Sequence, residues 1–439
     1  MKYHIWTEGC QMNVADSMRV ASALEKMGYH GTAHPKEADV IILNTCVVRQ
    51  SAEDKAVGRL SSLRPLKDNN PDLIINLMGC MVGVKDNPVL KKRFPYVDVF
   101  SPPSDPEPLV KHLLEKEGRA HDLDETLTRF AYMDGDLVLP TEEKGNLVAS
   151  YISIVLGCSY ACTYCIIPYR RGIEKSRSPE EILAEAQSLA DQGVKEITLL
   201  GQIVDRYGKD SPDYPTLGGL LRRLHSIRGI ERIRFLTSHP NYMTDELLDT
   251  VSDFPKIMPH IEVPIQAGND LVLENMRRGY TNHQYRELIH RIRERIPGVS
   301  IATDIIVGFP GETEEQYQDT YNLLAELKLD VAHLARYSPR EGTVSARKMA
   351  DDVPDEEKWR RFRELEDLQE GIATEIHARY LDQTIPVLFE EKSKKGRWRG
   401  RTETNKLVFV ESKDNLKGKT LPVKVYWTGP WSMLAKIEE

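Results

Sequence analysis

Tyr151-Ile152-Ser153-Ile154-Val155-Leu156-Gly157-Cys158-Ser159-Tyr160-Ala161-Cys162-Thr163-Tyr164-Cys165 decides how the rest of the chain is read. An apolar strand runs without a break into a tight loop carrying three cysteines at C-x3-C-x2-C spacing. Three thiolates on one loop can hold three irons of a [4Fe–4S] cluster and leave the fourth iron open to a ligand. Structural zinc wants four ligands, and no fourth Cys or His lies near this loop.

Working downstream, strand and helix patterns alternate. Strands are expected at Tyr151–Leu156, Glu196–Leu200, Arg232–Leu236, His260–Ile265, Ile301–Val307 and Val331–Arg336. Helices are expected between them, at Pro179–Gln192, Thr216–Ile227, Thr244–Val251, Thr281–Arg295 and Thr313–Leu327. Six βα units predict a partial parallel (βα)6 barrel, whose chemistry belongs at the C-terminal ends of its strands.

Upstream, a second βα series occupies residues 1–118. Strands are expected at Tyr3–Trp6, Asp39–Leu43, Leu73–Met78 and Tyr96–Phe100, with helices at Asp16–Met27, Ser51–Leu63 and Pro106–Glu117. This is the pattern of a flavodoxin-like, doubly wound parallel sheet. The three remaining cysteines, Cys10, Cys46 and Cys80, each follow one of its strands. In a parallel sheet those strand ends open on one edge, so cysteines far apart in sequence meet at one crevice and suit a second cluster. The plainer alternative is three buried structural cysteines, each common by itself.

Composition sets the frame. The chain has 439 residues, a net charge of −8, no apolar run long enough to span a bilayer and no basic-then-apolar start. A cytoplasmic protein is expected, in which clustered cysteines bind metal rather than form disulfides. Residues 119–148 are polar and acidic and read as a linker. The barrel body then extends over 149–376, and Pro354–Tyr380 reads as one highly charged helix, a strut toward the C-terminal piece. From Arg379 onward the chain carries 13 Lys+Arg against 8 Asp+Glu, a local +5 on an acidic body. Short strands at Ile385–Glu390, Leu407–Glu411 and Leu421–Trp427 predict a small antiparallel β-barrel over 377–439. Lys394, Lys395, Arg397, Trp398, Arg399 and Arg401 form a basic run with one aromatic. Cations suit phosphates and an aromatic can stack on a base, although a charge run by itself is often only solvated surface.

The Cys158–Cys165 loop resembles the signature of the radical-SAM superfamily. With Gly9-Cys10-Gln11-Met12-Asn13, Asn44-Thr45-Cys46-Val47-Val48-Arg49, Ala52-Glu53-Asp54-Lys55 and Gly79-Cys80-Met81, the chain resembles the methylthiotransferase family along nearly its whole length. Leu200-Gly201-Gln202, Thr237-Ser238-His239-Pro240, Asp304–Thr313 and Tyr337–Thr343 extend the likeness. Gln11-Met12 after the first cysteine is similar to the branch acting on isopentenyl-adenosine in tRNA, not to the threonylcarbamoyl-adenosine or ribosomal-protein branches.

The resemblance implies two [4Fe–4S] clusters, on Cys10, Cys46 and Cys80 and on Cys158, Cys162 and Cys165, and two molecules of S-adenosyl-L-methionine. One donates its methyl to a sulfur on the auxiliary cluster. The other is cleaved to a 5′-deoxyadenosyl radical that takes hydrogen from C2 of adenosine 37 in the anticodon loop. The implied S-adenosylmethionine contacts are Tyr164, Gly201, Gln202, Ser238 and Gln266, and the C-terminal barrel resembles the TRAM domain. Implied partners are tRNA, a reductant such as flavodoxin or ferredoxin and an iron–sulfur or sulfur donor system, with the protein acting as a monomer and away from membranes. His239 is expected to satisfy a local hydrogen bond rather than bind metal.

Two departures stand out: Ile203-Val204-Asp205 where the family commonly has Asn-Val-Asn, and Glu262 with Ala267 in the fourth-strand motif His260–Gly268. The other readings are the same chemistry on threonylcarbamoyl-adenosine or on a ribosomal protein, and a non-catalytic iron–sulfur protein that binds RNA and senses redox state.

Overall fold

In a computed structural model, which describes residues 1–48, 50–122 and 145–438, every strand of the first sheet is parallel to its neighbours. The strands are β1 (Lys2–Thr7), β2 (His30–Gly31), β3 (Val40–Thr45), β4 (Ile74–Gly79) and β5 (Val99–Ser101), in the order β2-β1-β3-β4-β5. That is the flavodoxin-like order, with its switch point between β1 and β3. β3 and β4 are buried on both faces, which is why they read as unbroken apolar runs. The two-residue β2 was too short to show a pattern. The first helix spans Gln11–Lys26, starting five residues before the expected Asp16. Cys10 is its N-cap and no side chain caps it, so no sequence signal marked the start.

The second body holds β6 (Ala149–Ser153), a short antiparallel pair β7 (Val155–Leu156) and β8 (Lys175–Ser176), then β9 (Glu196–Leu200) and β10 (Arg232–Leu236). After these come β11 (His260–Glu262), β12 (Ser300–Val307) and β13 (Val331–Arg336). Six parallel strands form two groups, β6-β9-β10 and β11-β12-β13, adjoining where β10 meets β11. The run expected as one strand at Tyr151–Leu156 splits, because Val155 and Leu156 turn away to pair with Ser176 and Lys175. β11 ends early: Pro264 has no N–H to give, and Gln266 returns by a single bridge to Ile305. Ser178, Thr216, Thr244, Thr281 and Thr313 cap the helices on the outside, the last two as full capping boxes. The core of this body is aliphatic, with buried Tyr285, Tyr317 and Phe309 among its largest members.

The helix Asp355–Ala378 leads into a closed barrel of β14 (Thr384–Lys392), β15 (Trp398–Arg401), β16 (Leu407–Val410), β17 (Thr420–Thr428) and β18 (Met433–Ile437). Three of these strands were expected; β15 and β18 complete the closure, and β18 runs parallel to β16, so the barrel is not the wholly antiparallel one expected. The 401–406 turn is pinned beneath the parallel strands. Arg232 donates to the Arg401 carbonyl at 2.7 Å, and Arg234 to the Thr402 and Glu403 carbonyls at 2.9 and 2.8 Å. The linker expected at 119–148 falls, over 123–144, outside the described residues. No helix among the described residues is long and apolar enough to cross a membrane.

Candidate functional site

Cys46 and Cys80 follow β3 and β4 directly and Cys10 follows β1 after Glu8 and Gly9, so one edge of the sheet presents all three thiols. A polar lattice holds them. Asn13 donates to Asn44 Oδ1 at 2.9 Å and to the Thr45 carbonyl at 2.8 Å, while Asn44 donates to the Asn13 carbonyl and to Ser17 Oγ. Gly9 and Gly79 both have positive φ, and a Cβ at Gly79 would stand 2.5 Å from the Thr45 carbonyl. These contacts account for the asparagines and glycines flanking the cysteines. The Cys10 thiol is pulled down to about 6, first by a hydrogen bond with Cys46, against burial and with help from Arg171. Its seat at a helix N-terminus acts in the same direction. The same hydrogen bond and burial push Cys46 up, and burial pushes Cys80 up.

The second triad is pinned by the segment 275–280. Thr163 Oγ1 donates to the Asn275 carbonyl at 2.8 Å and the Tyr160 hydroxyl to the Arg278 carbonyl at 2.6 Å. Burial drives Cys158 up to about 11 and Cys165 to about 12. Thiolates are thus costly here without positive charge beside them, which iron would provide. Among the described residues no three Cys, His, Asp or Glu side chains meet as they would around one ion; a cubane instead takes one thiolate on each of several irons.

Each triad also carries one buried guanidinium. Arg171 Nε donates to Cys80 Sγ at 3.3 Å, and Arg278 Nη1 donates to Cys162 Sγ at 3.0 Å. Both arginines are under a tenth exposed. A cation on the ligand sulfur matches the negative charge of a thiolate-held cluster, so the residues present fit such a group at both triads.

Between the two bodies lies a cavity of about 580 Å³. Cys10, Cys46 and Cys80 line one side, and Gly201, Gln202, Thr237, Glu262, Asp304 and His333 the other. Gln202 Nε2 reaches Met12 Sδ at 3.0 Å across it. The last three residues point into the barrel because they alternate along β11, β12 and β13, and Asp304 sits directly opposite His333. Glu262 accepts from Thr237 Oγ1 at 3.0 Å, and burial and then Asp304 raise its pKa.

The other expected cofactor contacts lie outside the lining of this cavity. Ser238 is buried and its Oγ has no hydrogen-bond partner among the described residues, an orphan suited to a ligand's polar group. Gln266 holds an αL backbone at φ 80°, and Tyr164 stands edge-on to Phe309. His239 is held neutral by burial, down to about 3, and its Nδ1 accepts from the Asn241 amide at 3.3 Å. The sequence reading missed Arg171 and Arg278; the Arg170-Arg171-Gly172 run soon after Cys165 was the available hint.

In the C-terminal barrel one expectation is corrected. Trp398 is 7 % exposed and packs among Val387, Phe389 and Val425, so its ring cannot stack on a base. It alternates inward on β15 while Arg397, Arg399 and Arg401 point outward, where they pair with Glu411, Glu390 and Glu391. Lys394 and Lys395 stand exposed on the turn before β15. The exposed aromatics of this barrel are Tyr426, Trp427 and Trp431. Lys424 faces Lys436 directly across β17 and β18, and Lys436 Nζ lies 5.4 Å from the Tyr426 ring centre.

Three family models match the chain: the Radical SAM superfamily over residues 152–324, the Uncharacterized protein family UPF0004 over 2–101, and the TRAM domain over 378–437. A tRNA-2-methylthio-N(6)-dimethylallyladenosine synthase of Dehalococcoides mccartyi is 44% identical over 99% of this chain and 98% of its own. The enzyme of the same name from a Roseiflexus species is 45% identical over 100% of this chain and 90% of its own. Among solved structures, the radical S-adenosylmethionine methyltransferase TsrM of Kitasatospora setae superposes with a TM-score of 0.53 at 14% identity. It covers 76% of this chain and 72% of its own, a likeness of fold.

Proposed function

Because the chain belongs to the tRNA-2-methylthio-N(6)-dimethylallyladenosine synthases, a radical-SAM family, we propose how its own side chains divide that work. The chain is a radical-SAM methylthiotransferase whose substrate is tRNA and whose product carries a methylthio group at C2 of N6-dimethylallyladenosine. Residues 1–118 hold an auxiliary cluster, 149–376 form the radical-SAM core and 377–439 bind RNA. The observation that carries the reading is the shared cavity, with Cys10, Cys46 and Cys80 on one wall and the strand-end pair Gly201-Gln202 on the other.

Cys158, Cys162 and Cys165 hold the [4Fe–4S] cluster that serves S-adenosylmethionine; Cys10, Cys46 and Cys80 hold a second. These cofactors supply hydrogen abstraction from an unactivated C–H bond and the sulfur and methyl to be joined there, which no side-chain acid or base provides. The protein's part is placement. Gly201, Gln202, Ser238 and Gln266 sit at or just beyond the barrel strand ends and Tyr164 on the cysteine loop, where they border S-adenosylmethionine. The cavity admits a base turned out of its stack, as chemistry on a base demands. Arg278 and Arg171 neutralise charge at the two sets of sulfurs. A low-potential reductant such as flavodoxin or ferredoxin and an iron–sulfur supply system are the partners this chemistry requires, and a monomer suffices for it.

The test is anaerobic. The protein is reconstituted with iron and sulfide, then given S-adenosylmethionine, reductant and tRNA bearing dimethylallyladenosine. A methylthio nucleoside on digestion and mass spectrometry is the expected result. If 5′-deoxyadenosine forms without it, cleavage is uncoupled from transfer and threonylcarbamoyl-adenosine tRNA and the ribosomal protein are assayed next; if neither forms from intact holoprotein, the sensor reading takes over. Changing Cys10, Cys46 and Cys80 to Ala should halve the iron and leave S-adenosylmethionine cleavage uncoupled from product. Changing Cys158, Cys162 and Cys165 to Ala should halve the iron and abolish cleavage.

A further inference from the structure

The segment 166–172 touches both triads within seven residues. Ile166 packs into the first body beside Cys80, Met81 and Val82. Its neighbour Ile167 packs on Cys158 in the second body. The Cys158 amide donates to the Gly172 carbonyl at 3.1 Å. Between them, Arg171 leaves the loop of one triad and enters the other. Its Nε donates to Cys80 Sγ at 3.3 Å, Nη1 to Ser104 Oγ at 3.3 Å, and Nη2 to Asn13 Oδ1 and Asp16 Oδ2 at 3.3 and 3.2 Å.

We propose that Arg171 is the positioning residue that joins the two half-sites, fixing the auxiliary triad against the radical-SAM loop and setting the charge at its sulfur. The inference rests on the reading of Cys10, Cys46 and Cys80 as cluster ligands. Three physical points support it. The guanidinium fork is planar and rigid, so contacts to a thiol, an amide and a carboxylate fix the register between the bodies as a lysine could not. The Arg171 and Asp16 side chains are only 3% and 1% exposed, so water screens the pair little, and the guanidinium is the end of it that touches the sulfur. Asp16 also accepts from Ser104 Oγ at 2.6 Å, and the Asn13 amide donates to the Cys10 carbonyl at 2.9 Å, so Arg171 acts on a lattice that holds the backbone of a ligand cysteine. A cation at a ligand sulfur stabilises the reduced, more negative state of a cluster and raises its potential.

Two variants separate the roles. Arg171→Lys keeps the charge and loses the fork. The pair Arg171→Met with Asp16→Asn removes both charges together, which avoids the unfolding expected when one buried partner is left alone. The auxiliary cluster's midpoint potential is read by EPR-monitored titration, in full-length protein whose Cys158, Cys162 and Cys165 are changed to Ala. Coupling is read in the otherwise unaltered enzyme as methylthio product per 5′-deoxyadenosine. The double variant should show a more negative potential and a coupling ratio at least tenfold lower, with 5′-deoxyadenosine formation retained. The lysine variant should keep the potential and lose coupling.

A potential and a ratio both unchanged in the double variant would overturn the proposal. So would loss of 5′-deoxyadenosine itself, which would make Arg171 a structural support of the first triad. The potential is read without tRNA. Failure of the unaltered enzyme to methylthiolate dimethylallyladenosine would therefore count against the substrate assignment and not against Arg171.

Discussion

Single residues carry much of this site's cost, and Asp205 is the sharpest case. It stands where the family commonly has asparagine, buried on the short helical turn Val204–Arg206 after β9, accepting from the His239 amide at 3.0 Å. Burial raises its pKa from 3.8 to about 7. An unfolded chain ionises this carboxyl near 3.8 while the folded one holds its proton until about 7, so stability falls as pH rises through that window. Asp205→Asn removes the loss. Its thermal advantage over the unaltered protein should grow between about pH 4 and pH 7, at up to about 1.4 kcal/mol per pH unit, and level off above that. A constant difference in melting temperature across that range would refute the account. Gly79 is a second case. Gly79→Ala puts a Cβ 2.5 Å from the Thr45 carbonyl at a positive φ, which should cost about 1–3 kcal/mol in urea unfolding and lower the auxiliary iron. Full iron in that variant would show that the turn can relax. The cysteines, these glycines and the asparagines were all legible as motifs. Arg171 was not, because a contact across 91 residues between two bodies leaves no periodic mark.

At the scale of elements, the parallel strands were readable because burial on both faces writes continuous apolar runs, and their ends located the cysteines without any coordinates. Two strands of the C-terminal barrel were hidden for opposite reasons. β15 is Trp398-Arg399-Gly400-Arg401, whose outward arginines mask the alternation. β18 starts at Met433, straight after a turn. The same alternation decides the role of Trp398. Trp398→Ala should cost about 3–5 kcal/mol as a core truncation and weaken RNA binding only as far as it unfolds the barrel. Trp431→Ala, on the outer face, should leave the unfolding midpoint within about 0.5 kcal/mol of its starting value while weakening tRNA binding several-fold. Calorimetry paired with a filter-binding assay separates the two, and equal loss of stability in both variants would contradict the assignment of faces.

At the scale of the whole molecule, the small barrel closes the end of the parallel strands opposite the cavity. Arg232 and His260 meet the 401–406 turn at the N-terminal ends of their strands and Arg234 meets it from the middle of β10, while Gly201, Gln202 and Thr237 open on the cavity at the C-terminal ends. Thr237 stands three residues beyond Arg234 and Glu262 two beyond His260, so the turn comes within roughly 7–10 Å of the cavity lining at about 3.3 Å per residue. The turn closes that end, so an RNA whose base enters the cavity reaches the outer face of the small barrel only around the outside of the parallel strands. On that barrel Lys424 and Lys436 face each other as like charges, an arrangement that costs stability unless an anion bridges them. Reversing Lys394, Lys395, Lys424 and Lys436 to Glu should raise the dissociation constant of full-length tRNA at least tenfold. It should also flatten the salt dependence by about 0.7–0.9 for each phosphate that no longer meets a lysine. A short oligonucleotide holding only the loop, too small to reach from cavity to barrel, should bind both proteins alike. Equal weakening for oligonucleotide and tRNA would mean that the basic face acts at the cavity itself, and that the RNA does not follow the long axis of the strands.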